Sequence, residues 1–385
     1  MRAVTVVIFH RPPRADDPPL TGLLAAARQA LAERHAALFR RAGAARIALA
    51  AGREASAVRE ASAVREANGE LPPPLLGTTG CSFGEALAGL VRDQQIEACV
   101  VLSSGAVPRL RIGDARRLVA AAAGDERRAL TNNRFSSDVC AVPRAAVLAE
   151  LPPLPSDNAL PRWLEEVAGY AVETLPGLER LALDLDTPLD LALLALAPDA
   201  PAALSRIARS WRLTVPRRDA LRELAADPRR ELLVFGRSSS RTLTWLEQHV
   251  RCRVRFLAEE RGLRAASPFA MRGLEARSVE RPPRATLGRL LADRGPGALA
   301  AVVAELADGA ILDTRVLLAD RSGAAEDAWP GDEDRFASDL LRADEVADGW
   351  LHELTASAAG AGVPIVLGGH SLVGPGVPLL LRGIR

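Results

Sequence analysis

Short runs of β-branched and aliphatic residues alternate along this chain with longer Ala- and Leu-rich stretches, the pattern of parallel α/β folds. In the first half, strands are predicted over Val4–Phe9, Arg46–Ala50, Ala98–Leu102 and Val139–Val142, with a short one over Leu181–Leu185. A long amphipathic helix is predicted over Leu20–Ala42, and shorter helices over Leu87–Arg92 and Gly113–Ala123. The second half restarts the alternation with strand Glu231–Phe235, helix Thr242–Val250 and strand Arg253–Leu257. Helix Pro296–Leu306, strand Ala310–Asp313, helix Ala343–Ala359 and strand Pro364–Leu367 follow.

Single hydrophobic cores rarely grow beyond ~250–300 residues, so 385 residues predict two domains. The break is expected within Trp211–Arg230, a charged, proline-flanked stretch before a new strand, giving domains 1–228 and 229–385. The Pro-rich LPPLPSDNALP at 151–161 is read as a surface excursion inside the first domain. Residues 53–67, REASAVREASAVREA, repeat with a period of six, which matches neither a helix face nor a strand face. That segment is read as an exposed insertion without a functional role.

Composition then narrows the chemistry. All 49 basic residues are arginine, so Schiff-base lysines and phosphate-loop amines are excluded. The net charge of +1 gives no general case for nucleic acid or an anionic membrane as partner. Cys81, Cys99, Cys140 and Cys252 lack CxxC spacing and read as buried free thiols. The opening apolar run is too short for a signal peptide, and no stretch reaches ~18 charge-free apolar residues. A soluble protein of the cytoplasm is expected.

Three segments in order carry a resemblance. VVIFHRPPR is a first strand entering an arginine- and proline-bearing loop, ACVVLSSGAVPRL a mid-domain strand ending in a small-residue turn, and LDLDTPLDLALL a late acidic segment. Together, over roughly residues 1–200, they resemble the MobA-like nucleotidyltransferases: molybdenum-cofactor and phospholactate guanylyltransferases and related sugar-nucleotide enzymes. The third segment is the most specific. The resemblance implies a Rossmann-like nucleotide-diphospho-sugar transferase (GT-A-like) fold for the first domain. It implies a Gly-rich loop with Arg and Lys after strand one, and metal-binding Asp residues after the mid-domain strand and in the D-T-P segment. This chain departs from that pattern. Its first loop offers Arg11 and Arg14 but no glycine, and Ser103, Ser104, Gly105 and Ala106 occupy the mid-domain turn. Only Asp184 or Asp186 is left as a carboxylate ligand for Mg²⁺, Asp186 with a catalytic role, so the two-carboxylate site of the resemblance is broken unless Asp138, also read as catalytic, supplies the missing oxygen.

TNNRFSSDV, residues 131–139, gathers Asn132, Asn133, Arg134 and Asp138 where the resemblance places the acceptor substrate. Turn formation and substrate contact both suit these residues. For DLDTPLD the structural alternative is an Asp N-cap with Pro at the helix start.

In the second domain, ELLVFGRSSSRTLTWLEQHV reads as strand, turn and helix, where Arg237, Ser239 and Arg241 suit an anion at a helix start. Its single glycine excludes a dinucleotide fingerprint. Glu259, Arg315, His370 and Ser371 follow later strands, and such strand ends converge on the ligand crevice of open α/β sheets. GGHSLVG is not a hydrolase elbow, because Val373 stands where glycine is needed and no histidine follows His370. This domain is expected to be Rossmann-like and parallel, and to bind a small anionic metabolite. The alternative is that its charges pair with one another. For the whole chain, two readings stand: a nucleotidyltransferase acting on a small phosphorylated or carboxylated acceptor, and a non-catalytic protein binding a nucleotide or anionic metabolite.

Overall fold

The computed structural model describes residues 2–50, 82–154, 156–260, 283–323 and 325–384. The repeat at 53–67 and Cys81 lie outside the described residues. The chain divides into two compact units, one of Met1–Ala15 and Leu24–Asp186, the other of Asp16–Leu23 and Thr187–Arg385. The expected boundary was at 228/229. The difference has a packing reason: helix Pro188–Ala195 packs against helices of the second unit, and helix Arg218–Ala226 packs on its sheet.

The first unit is built on β1 (Val4–Phe9), β2 (Arg46–Ala50), β3 (Ala98–Ser103), β4 (Arg128–Thr131), β5 (Val139–Val142) and β6 (Ala171–Thr174). They form one sheet in the order β2-β1-β3-β5-β4-β6. β5 runs antiparallel to both its neighbours, while the other pairings are parallel. Every residue of β1 is buried, as a central parallel strand with both faces covered requires. Val6, Ile8, Val100, Leu102, Leu118 and Phe39 lie at the heart of its core. No strand forms over 181–185. Helix Leu178–Leu181 is followed there by an irregular extended segment whose Leu183 and Leu185 are buried.

The second unit carries β7 (Glu231–Gly236), β8 (Arg253–Ala258), β9 (Gly309–Asp313) and β10 (Ile365–Gly368). Their order is β10-β9-β7-β8, and all pairings are parallel. Among the described residues no helix is long and apolar enough to cross a membrane.

Candidate functional site

In the first sheet, the chain leaves β1 for β2 on one side and later returns to lay β3 on the other. The carboxyl ends of β1 and β3 therefore flank a topological switch point, where open α/β sheets bind ligands. His10 leaves β1 at this point: its N–H bonds Ala50 O at 2.8 Å, and Ser104 N–H bonds Phe9 O at 2.8 Å. Arg11 and Arg14 continue outward, Arg11 half-buried and Arg14 exposed.

The turn after β3 is tied to the acidic segment. Leu185 N–H donates to Gly105 O at 2.9 Å. A Cβ on Gly105 would stand 2.8 Å from Leu185 O and 3.1 Å from Arg28 Nε, so only glycine permits this approach. Arg28 reaches from the helix Pro19–Arg41, donating from Nε to Leu185 O at 2.8 Å and from a terminal nitrogen to Asp186 Oδ1 at 3.2 Å. Asp184 and Asp186 each offer a carboxylate oxygen, and these lie within 4.8 Å of one another. Asp186 is not consumed as a helix cap. Thr187 caps Pro188–Ala195 in a capping box with Asp190, and Pro188 opens the helix.

Asp157 is a carboxylate that the sequence reading missed. It sits in the Pro-rich 151–161 excursion, on a short 3₁₀ turn. Burial pushes its carboxyl up to about 7, and the charges of Asp138 and Asp186 push it the same way. Three carboxylates from three separate segments thus share one electrostatic neighbourhood. Within a proline-rich stretch, only the Asp itself could have signalled this.

Asn132 is corrected from ligand contact to structural clamp. It is wholly buried, and its amide donates to Asp138 Oδ2 at 2.5 Å and to Leu181 O at 2.9 Å. Its Oδ1 accepts from Asp138 N–H at 3.0 Å and Val139 N–H at 3.2 Å. Both donors and both acceptor positions are in use, leaving none for a substrate. Asn133 Oδ1 accepts from Phe135 N–H at 3.0 Å, an Asx turn. Arg134 grips Glu165 through two nitrogens. Phe135 projects, 68% exposed, with the Arg134 guanidinium over its ring.

In the second unit the switch point lies between β7 and β9, and Arg237, Asp313 and Arg315 meet there. Their charges are already paired. Arg237 donates from Nε to Asp313 Oδ2 at 2.6 Å and from a terminal nitrogen to Oδ1 at 3.1 Å. Asp313, fully buried, also accepts from Arg315 N–H at 3.1 Å, capping the helix Thr314–Ser322. Burial alone would raise this carboxyl, but the charges of Arg237 and Arg315 and the Arg237 hydrogen bonds outweigh it and hold it below the usual range. Arg315 turns inward, 6% exposed, and meets the buried Asp339 through both terminal nitrogens. Arg315 is thereby corrected from ligand contact to buried ion-pair partner. Glu259 accepts from Thr286 N–H at 3.0 Å, supplying a cap that Ala285 cannot make. Ser239 caps the helix Ser240–His249 from an exposed position. His370 opens the short helix His370–Val373, and Ser371 is buried within it. Arg237 is partly exposed but committed to Asp313, so the crevice presents balanced charge rather than an excess of cation.

Cys99, Cys140 and Cys252 are buried free thiols, and burial raises all three, Cys99 to about 12 and Cys252 to about 11. None is suited to nucleophilic work. No protein-family profile matches the chain, and no curated protein matches it significantly.

Proposed function

We propose that the first unit is a nucleotide-binding transferase domain with a GT-A-like fold, acting in the cytoplasm to pass a nucleotidyl group to a small phosphorylated or carboxylated acceptor. The observation that carries this reading is the Leu185–Gly105 bond. It fastens the Asp184–Asp186 segment to the turn after β3, at the switch point where ligands bind. The turn itself lacks a carboxylate, and the segment bonded to it brings two.

The donor set fits Mg²⁺. That ion takes oxygen ligands, one or two carboxylates commonly sufficing beside water and phosphate oxygens. Asp184 and Asp186 would hold it. Bound there, Mg²⁺ would neutralise charge on the phosphates. The chain's own contribution is positional and cationic. Arg28 braces Asp186 and Leu185 O in one geometry, while Arg11 and Arg14 offer planar guanidinium groups to phosphate.

A second reading, nucleotide binding without transfer, is favoured by the Arg28–Asp186 pair, which already partly neutralises the carboxylate a metal would use. A thermal-shift screen of nucleoside triphosphates with and without Mg²⁺ separates the two. Transfer predicts Mg²⁺-dependent stabilisation that disappears in Asp186→Asn. Metal-independent stabilisation that survives this substitution selects the binding reading. Absence of stabilisation by any triphosphate removes both.

A further inference from the structure

His10 occupies the switch point of the first sheet, between the ends of β2 and β3, and it is 2% exposed. Its ring is held by a two-step relay. Glu33 carries a carboxylate, which accepts only, so Gln29 presents its amide nitrogen there, at 2.9 Å. That orientation turns Gln29 Oε1 toward His10 Nε2, at 2.5 Å. An amide oxygen accepts only, so Nε2 carries the proton and Nδ1 is left with a bare lone pair. Among the described residues Nδ1 has no hydrogen-bond partner, although it is buried. Burial, together with the charges of Arg28 and Arg11, outweighs the Gln29 bond and opposes a second proton on the ring. A buried, unpaired acceptor costs stability, and its position at the ligand end of β1 gives it a use.

We infer that His10 Nδ1 accepts a hydrogen bond from an N–H or O–H group of the nucleoside part of the ligand, not from its phosphates. Phosphate oxygens only accept, so a bare lone pair repels them, whereas a base amine, a base imide or a ribose hydroxyl can donate. Arg11, the next residue, suits the phosphates instead. The Gln29–Glu33 relay fixes the tautomer before the ligand arrives, so no proton has to move on binding. The inference rests on the nucleotide reading of this unit.

Two variants divide the functions of the ring. His10→Asn places an amide oxygen near the position of Nδ1 and gives up the Gln29 bond. His10→Gln places an amide nitrogen near the position of Nε2, keeps the Gln29 bond and gives up the Nδ1 acceptor. Calorimetric titration of the full chain with Mg²⁺-nucleoside triphosphates should show affinity reduced about tenfold in His10→Gln and little changed in His10→Asn. Titration with inorganic tripolyphosphate should be the same in all three proteins. Wild-type nucleotide binding with an indifferent His10→Gln overturns the inference alone, as does an equal loss of tripolyphosphate binding. A wild type that binds no nucleoside triphosphate overturns the nucleotide reading and the inference with it. If His10→Gln does not fold, ¹⁵N NMR of the wild-type ring decides. Nδ1 should be unprotonated without ligand and should shift as a hydrogen-bond acceptor on titration with triphosphate. A protonated Nδ1, or an unmoved resonance in the presence of bound nucleotide, overturns the inference.

Discussion

Arg237 meets the buried carboxylate of Asp313 through two nitrogens, and the same carboxylate caps the helix that carries Arg315. Gly236 makes the approach possible: its φ is +121°, and a Cβ there would lie 2.3 Å from Asp313 Cβ. These charges should therefore act on stability before any ligand is present. Arg315→Gln leaves Asp339, wholly buried, without its counter-charge, and should cost about 3–5 kcal/mol. Arg237→Gln should cost less, about 1–3 kcal/mol, since its side chain is 21% exposed and Asp313 keeps the Arg315 N–H. Urea denaturation measures both. An Arg315→Gln midpoint equal to wild type would show that the pair is not structural.

Asn132 should behave as a fold residue. Asn132→Ala strands the N–H groups of Asp138 and Val139 and the carbonyl of Leu181 inside the unit, and should cost about 2–4 kcal/mol. Asn133→Ala, which removes one partly exposed turn bond, should cost under about 1 kcal/mol. Equal effects in the two variants would contradict the clamp.

The contrast between those neighbours shows what the sequence reveals. Strands with β-branched runs were legible, as with Val4–Phe9 and Ala98–Ser103, because burial on both faces demands continuous apolar character. β4 (Arg128–Thr131) and β6 (Ala171–Thr174) were not. They are four residues each, and β6 lies at a sheet edge, where burial imposes no pattern. In 181–185 the apolar residues serve a different purpose: they bury an extended segment that bonds Gly105 rather than a ladder. The strands over Glu231–Gly236 and Gly309–Asp313 were legible, but the partners of the charges at their ends were not. Whether Arg315 faces a ligand or Asp339 depends on a residue 24 positions away, and no local pattern records that pairing. Asp157 and His10 escaped for the same reason, since their significance comes from Asp138 and Asp186 in one case and from Gln29 in the other.

Gly105→Ala tests whether the turn after β3 and the acidic segment form one unit. The added methyl meets a backbone carbonyl, Leu185 O, at 2.8 Å, and the chain must separate there. A loss of about 1–3 kcal/mol is expected, together with weaker Mg²⁺-dependent nucleotide stabilisation. Lost stability with unchanged Mg²⁺ response would detach the turn from the proposed Mg²⁺ site.

Two desolvated groups of the first unit, the buried His35 and the partly exposed Asp157, should drive its stability in opposite directions over the mildly acidic range. His35 is wholly buried in the helix Pro19–Arg41 and is pushed down to about 3, by burial first and by Arg34 second. Its folded pKa lies below its unfolded one, so the unfolded chain binds the extra proton, and the His35 contribution falls as pH drops from about 6.5 toward 3. Asp157 is raised to about 7, so here the folded chain binds the extra proton. Its contribution is full below about 4 and falls as pH rises through 7. Between roughly pH 4 and 6.5 the two slopes oppose each other in the wild type. His35→Leu removes the first, so relative to wild type its stability should decline more steeply as pH rises through that window. Asp157→Asn removes the second and should gain most over wild type near pH 8, with little difference at pH 4. Chemical denaturation of all three proteins at closely spaced pH values supplies the comparison. Parallel curves for wild type and Asp157→Asn would mean that Asp157 ionises at an ordinary carboxylate pKa and lies outside the influence of Asp138 and Asp186.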